Sequence, residues 1–115
     1  MGPFAAGQIA LLPFPFSDLT RSKLRPALLL APVGRGDWIA CQITSNPYAD
    51  RHAITLENDA FAEGGLHRAS FVRPGKLFTA HETLFDGLAG RLRREMLHVA
   101  REAVVALIRE RQAEA

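Results

Sequence analysis

Arg25 is the residue whose type and setting most directly suggest chemistry. It follows a polar segment and precedes Pro26 and an aliphatic run. Because proline restricts its predecessor to extended backbone, Arg25 is expected to project from one face at the mouth of a strand. A positioned guanidinium near two further cations, Arg21 and Lys23, is suited to bind a phosphate. A solvated charge flanking a strand is the alternative interpretation.

Proton transfer needs a group that both gains and loses a proton near neutral pH. Arginine stays protonated and is a poor general base, whereas histidine is suited to the task. The sequence has four histidines. His52 and His67 are expected in turns and His98 on a helix. His81, which follows a predicted strand, is the best spare acid or base, but the pattern assigns a catalytic role to none of them.

The elements that must position these side chains are short strands separated by turn signals. This spacing predicts a small barrel or sandwich. Strands are predicted at residues 7–14, 26–33, 38–44, 53–56, 69–73, 76–79 and 86–92. Residues 1–6 are expected to form a loose arm, 57–65 a turn or excursion and 82–86 a helical turn. Residues 93–111 form the one predicted helix, with an apolar stripe that should pack on the barrel.

Side-chain alternation adds detail to two of the strands. The first strand is apolar on both faces, which indicates either burial on both sides or a subunit contact. In the third strand, alternation separates an apolar face from the face of Trp38 and Thr44. Thr44 is thereby placed on the more polar face, at the strand end.

Composition limits the class of protein. At 115 residues the chain is expected to form one globular domain, and its net charge of +2 is only mildly basic. Cys41 is the only cysteine, so no internal disulfide can form, and we expect it to be a small core residue. No signal peptide or membrane-spanning stretch is predicted, so a cytoplasmic protein is the default expectation.

The order of several short motifs resembles a known family. Gly7-Gln8-Ile9 opens the first strand, Arg25-Pro26 the second, and Ile43-Thr44-Ser45 ends the third. With the segment 70–79 and the terminal helix, these resemble the MazF/PemK (Kid) family of type II toxin–antitoxin endoribonucleases, over about residues 7 to 110. The resemblance implies a mostly β fold with α, a small SH3-like antiparallel barrel of about six or seven short strands plus a C-terminal helix.

The resemblance also implies a reaction and a site. Family members cut single-stranded RNA by attack of the ribose 2′-OH, giving 2′,3′-cyclic phosphate and 5′-OH ends without a metal or another cofactor. Arg25 and Thr44 match the catalytic positions, Arg25 as an electrostatic clamp on the phosphate and Thr44 as a hydroxyl donor. RNA binding is expected of Ser17, Asp18, Arg21, Ser22, Lys23, Ser45, Asn46, Arg73 and Lys76. Candidate platforms for base stacking are Phe16, Trp38 and Tyr48.

The expected partners follow from the same resemblance: a cognate antitoxin, single-stranded RNA and a second copy in a homodimer, with no membrane. Two alternatives stay open. The same barrel occurs in toxins that act on DNA gyrase, so the chain could be a non-enzymatic binding module. Gln8 stands where the family has aspartate, which suggests a third possibility, a member that binds antitoxin or RNA without cutting.

Overall fold

The computed structural model describes residues 3–15 and 22–110. Within these ranges the chain forms seven β-strands and one α-helix. The strands are β1 (Gln8–Pro15), β2 (Ser22–Gly34), β3 (Asp37–Thr44), β4 (Ile54–Leu56), β5 (Phe61–Gly64), β6 (Ser70–His81) and β7 (Gly87–Leu92). The helix α1 spans Arg94–Arg109, and short 3₁₀ turns lie at Asn58–Ala60 and Glu82–Leu84.

All seven strands belong to one antiparallel sheet in the order β4-β6-β3-β2-β1-β7-β5, curled into an open half-barrel. The predicted fold class is confirmed. Two of the strand prolines fall where a ladder hydrogen bond is not needed. Pro13 lies beyond the part of β1 that pairs with β7, and Pro26 lies before the part of β2 that pairs with β3.

Apolar side chains form a core on each face of the sheet. The larger core lies between the sheet and α1 and contains Ile9, Leu28, Cys41 and Ile43. The smaller core lies on the opposite face. Its buried members are Ala10, Leu12, Ala27, Leu29, Trp38, Ala40 and Ala80. Burial on both sides therefore explains the apolar pattern of β1 within one chain, and the predicted alternation of β3 is confirmed.

A β-bulge in β2 ties the helix to the sheet. Leu29 pairs with Ala40 and Ala31 with Ile39, so Leu30 is an extra residue without a partner in β3. Its carbonyl oxygen accepts hydrogen bonds from Nε and Nη2 of Arg101 on α1, at 3.1 and 2.7 Å. Without Arg101, the bulge would leave this nearly buried carbonyl without a hydrogen-bond partner. Arg101 therefore supplies, from the helix, the hydrogen bonds that β3 does not provide.

The predicted split between strands at 69–73 and 76–79 is wrong, because β6 runs continuously through Pro74 and Gly75. Cys41 pairs with Leu77 and Ile43 with Val72, so residues 73–76 form a bulge where proline is tolerated. The predicted excursion at 57–65 contains a 3₁₀ turn and the strand β5, which pairs with β7. β2 begins at Ser22, earlier than predicted, because its pairing with β1 extends to Pro15.

The arm predicted as loose over residues 1–6 is packed in its described part. Phe4 makes an edge-to-face contact with Phe85, with ring centroids 5.0 Å apart, and both rings pack against the smaller core. An aromatic pair of this kind adds stabilisation to the area that it buries. Residues 1 and 2 lie outside the described residues.

The helix stripe packs on the sheet as predicted, although only part of it is buried. Ala100 and Val104 are buried, whereas Val99 is 46% and Ile108 71% exposed. The helix starts at Arg94 and ends at Arg109, close to the predicted bounds 93–111. Across the described ranges, no helix combines the length and apolarity that a membrane span requires.

The Arg101 contact predicts a measurable loss of stability on truncation. Arg101→Ala should lower the free energy of unfolding by about 1–3 kcal/mol, because a nearly buried carbonyl loses a charged donor. Urea unfolding at neutral pH measures the change. Arg94→Ala, at an exposed position of the same helix, is the control and should change stability by less than about 0.5 kcal/mol. Equal effects of the two substitutions would contradict a specific role for the bulge contact.

Candidate functional site

The pairing of β2 with β3 brings Arg25 and Thr44 together. Ala27 pairs with Gln42 in the antiparallel ladder. Arg25 precedes Ala27 by two residues and Thr44 follows Gln42 by two, so both extend from that pair toward the same end of the sheet. Because side chains repeat every two residues along a strand, Arg25 and Thr44 also share a face.

Arg25 and Thr44 line one open cleft with a volume of about 330 Å³. Its other described lining residues are Lys23, Leu24, Pro26, Ile43, Ser45, Leu66, His67, Arg68 and Ser70. Three of the described lining side chains are cations, and none of them is acidic. The cleft is therefore suited to an anionic ligand such as a phosphodiester, held by charge and by hydroxyl donors.

The Thr44 hydroxyl closes a tight turn at the end of β3. It accepts from Asn46 N at 3.1 Å and donates to Asn46 O at 3.0 Å. This local bonding fixes the direction in which the chain leaves the strand. To donate to a phosphate oxygen, the hydroxyl must rotate away from the Asn46 carbonyl, and Ser45 beside it supplies a second hydroxyl to the cleft.

Arg73 and Lys76 lie in a separate groove and not in the cleft. This groove has a volume of about 270 Å³ and is bordered by Gln42. Arg73 is committed to other side chains: its Nε donates to Asp50 Oδ2 at 2.9 Å, and Nη1 donates to Gln42 Oε1 at 3.4 Å. The side chains of Arg73 and Asp50 are only 16% and 13% exposed. The hydrogen bond from Arg73, with one from the backbone N–H of His52, lowers the pKa of Asp50.

Of the two predicted stacking platforms that the structure describes, Tyr48 is the exposed one. It is 63% exposed, and the Arg73 guanidinium lies 5.4 Å from the centre of its ring. Tyr48 and Ala49 both have left-handed backbone conformations, with φ of 55° and 59°. Such strain is sustained only where surrounding contacts hold it. Trp38 is 6% exposed and belongs to the smaller core, and Phe16 lies outside the described residues.

The remaining predicted site residues are placed as follows. Ser17, Asp18 and Arg21 lie outside the described residues, and Ser22 is the first residue of β2. Asn46 is exposed, and its Oδ1 accepts from Tyr48 N at 2.9 Å, which shapes the turn after β3. Gln8 has a structural contact, because its Oε1 accepts from Ala5 N at 2.7 Å.

His67 and Arg68 line the cleft although sequence reasoning did not assign them to it. They lie between β5 and β6 and reach the cleft only through the long-range pairing of β6 with β3. The available signal was the cationic character of the Arg68 segment. His81, the favoured spare histidine, instead binds the β2–β3 hairpin: Nε2 lies 2.9 Å from Arg35 O, and Nδ1 accepts from Thr83 N at 3.2 Å.

Cys41 lies in the larger core, where burial raises the pKa of its thiol to about 12. A thiol in this setting stays protonated and unreactive, so the expectation of a core cysteine is confirmed. Among the residues that the structure describes, no group of three His, Cys, Asp or Glu side chains is placed to hold a metal ion.

Solved structures with the same fold include several MazF proteins. MazE-MazF from Deinococcus radiodurans has a TM-score of 0.73 at 19% identity, covering 94% of this chain and 97% of that one. An endoribonuclease from a mycobacterial species gives 0.69 at 13% identity, with 94% and 93% covered. Mycobacterium tuberculosis toxin MazF-mt6 gives 0.68 at 18% identity, with 91% and 99% covered. No protein-family model and no curated protein matches the sequence. The chain therefore has the MazF fold.

The Asp50–Arg73 pair predicts a pH-dependent contribution to stability. Because the pKa of Asp50 is lowered from its ordinary 3.8 in the folded state, its ionised form stabilises the fold above that value. Asp50→Asn should cost on the order of 1 kcal/mol at about pH 7, and the difference should shrink as pH falls through the folded-state pKa. Chemical unfolding of both proteins at several pH values measures this. A difference that is constant down to about pH 3 would contradict it.

Proposed function

We propose that this chain is the toxin of a type II toxin–antitoxin system, of the MazF/PemK type, and that it cuts single-stranded RNA. The observation that carries the proposal is the cleft in which Arg25 and Thr44 meet beside Lys23 and Ser45, with no acidic side chain among its described lining residues. The shared fold with MazF and endoribonuclease structures supports it.

In the proposed reaction the RNA supplies its own nucleophile. The 2′-oxygen forms a bond to the adjacent phosphorus, the bond from phosphorus to the 5′ oxygen breaks, and a cyclic phosphate and a 5′-OH result. Arg25 binds the non-bridging phosphate oxygens and stabilises the charge that grows on them. Thr44 and Ser45 donate hydroxyl hydrogen bonds to the same group, and Lys23 adds positive charge at the entrance.

The donor chemistry of the cleft supports a reaction that needs no metal. Magnesium prefers carboxylate and other oxygen ligands with water, whereas the described charged side chains that line this cleft are cations. Cationic side chains can perform the charge stabilisation that a metal performs elsewhere. The proposal accordingly includes no cofactor.

The proposed partners are single-stranded RNA, a cognate antitoxin and a second copy of the chain. The neighbours include an endoribonuclease solved in complex with its cognate antitoxin, with a TM-score of 0.64 at 14% identity. An acidic antitoxin segment would complement the cations of the cleft. Apolar side chains outside both cores, including Leu84 at 50% and Ile108 at 71% exposed, offer surface for protein contacts. A cytoplasmic location is proposed with this function.

Removal of Arg25 or of the Thr44 hydroxyl tests the site. Arg25→Ala should lower the cleavage rate at least ~100-fold. Thr44→Val, which keeps the side-chain shape but loses the hydroxyl and its two hydrogen bonds to Asn46, should lower it ~10-fold to 1,000-fold. Arg25→Lys should recover only part of the rate, because a lysine cannot bind two phosphate oxygens in the fork geometry. The assay follows a long single-stranded RNA by gel and analyses the product ends, with and without EDTA.

Arg94→Ala is the matched control, since it removes an exposed arginine from the helix and leaves the cleft intact. Discrete cuts that persist in EDTA, carry 5′-OH ends and disappear in Arg25→Ala are the expected result. Full activity of Arg25→Ala would disprove the site assignment. No cutting of varied RNAs by the unmodified protein would disprove the nuclease and favour a binding protein, for which DNA gyrase is the first target to test.

Tyr48, whose ring contacts Arg73 of the separate groove, is proposed to stack on a base of the bound RNA. Tyr48→Ala should raise KM by ~5-fold to 100-fold with little change in kcat, whereas Tyr48→Phe should retain binding, because stacking needs the ring and not the hydroxyl. Steady-state cleavage of a short RNA measures both constants. An equal loss in the two variants would show that the hydroxyl, and not the ring, is responsible.

A further inference from the structure

The described cleft contains phosphate-binding groups but few groups that accept a proton. Arg25, Arg68 and Lys23 are donors at neutral pH. The hydroxyls of Thr44 and Ser45 are poor bases without help. Attack by a 2′-OH requires removal of its proton, and none of these described cations and hydroxyls is suited to that task.

His67 is the described lining residue whose type meets this need. It is exposed and lies between Leu66 and Arg68, which line the same cleft. The segment is anchored at its C-terminal side, because Ser70 Oγ donates to Arg68 O at 2.9 Å and Ser70 is only 6% exposed. His67 therefore lies just before the start of β6 and lines the cleft that contains Arg25.

The charged groups around His67 come from several elements. Lys23 and Arg25 line the cleft from β2, and Arg68 lies next to His67 in sequence. His67 also lines a second cavity, which has a volume of about 360 Å³. Among the described residues that line this cavity, Glu57 is the acidic one. The segment 66–70 separates the two cavities, so His67 lies between a cationic cleft and a cavity with one carboxylate.

We infer that His67 is the general base of the proposed RNA cleavage, an inference that rests on the proposed function. Its neutral imidazole accepts the proton of the 2′-OH while the 2′-oxygen bonds to phosphorus. The bond from phosphorus to the 5′ oxygen breaks, and water supplies a proton to that oxygen. The imidazolium then returns its proton to water, so the reaction consumes no net proton.

The test compares His67→Gln with the unmodified protein on a short synthetic RNA that spans a cut found in the digest of long RNA. kcat/KM should fall at least ~100-fold, mainly through kcat. The rise of the rate with pH on the acid side of the profile should also disappear, since no imidazole remains to be deprotonated. Added imidazole should restore part of the rate of His67→Ala. His98→Gln, on the exposed part of α1, is the control and should change neither rate nor profile.

A substrate with sulfur in place of the leaving 5′ oxygen separates a base from an acid. A thiolate leaves without protonation, so the defect of His67→Gln should persist on this substrate if His67 is the base. Recovery of the full rate would show that His67 is an acid and would overturn the inference. An unchanged rate and pH profile in His67→Gln, with cutting by the unmodified protein intact, would overturn the inference alone. No cutting by the unmodified protein would overturn the proposed function and this inference together.

Discussion

The antiparallel pairing of β2 with β3 is the constraint on which the cleft depends. It sets Ala27 opposite Gln42 and thereby places Arg25 and Thr44 at one end of the sheet, on one face. A slip of one residue in this register would turn one of the two side chains to the opposite face. The register is held because β2 and β3 are buried on both faces and because the extra residue of the β2 bulge is satisfied by Arg101.

Burial on both faces gives this small sheet its rigidity. The helix covers one face, and the N-terminal segment with Phe4 and Phe85 covers the other. The cations and hydroxyl residues of the cleft lie at the shared end of β2 and β3. The cations there repel one another in the free protein, so a bound polyanion would relieve that repulsion. Function and stability therefore meet at this end of the sheet, where the core residue Ile43 also lines the cleft.

Arg25 and Arg73 have similar neighbours in the sequence but make different contacts in the structure. Both Arg25 and Arg73 precede a proline, yet Arg73 pairs with Asp50 and bonds to Gln42, whereas Arg25 lines the cleft. The pair with Asp50 holds the turn after β3, in which Tyr48 and Ala49 keep left-handed backbones. The groove of Arg73, which Gln42 borders, and the cleft are thus separate regions of one sheet.

The sequence by itself determined most of the strands, the helix and the β class, and its resemblance to a known family singled out Arg25 and Thr44, which both line the cleft. Period-two alternation, proline positions and turn residues are local signals, so they can be interpreted without the fold. Only the tertiary structure decided that β6 is continuous through its bulge, that β5 exists and that Phe4 is packed. It also decided that His67 and Arg68 line the cleft with Arg25, and that Arg73 does not. These outcomes depend on pairing between residues far apart in the chain, and no local pattern encodes which strands become neighbours.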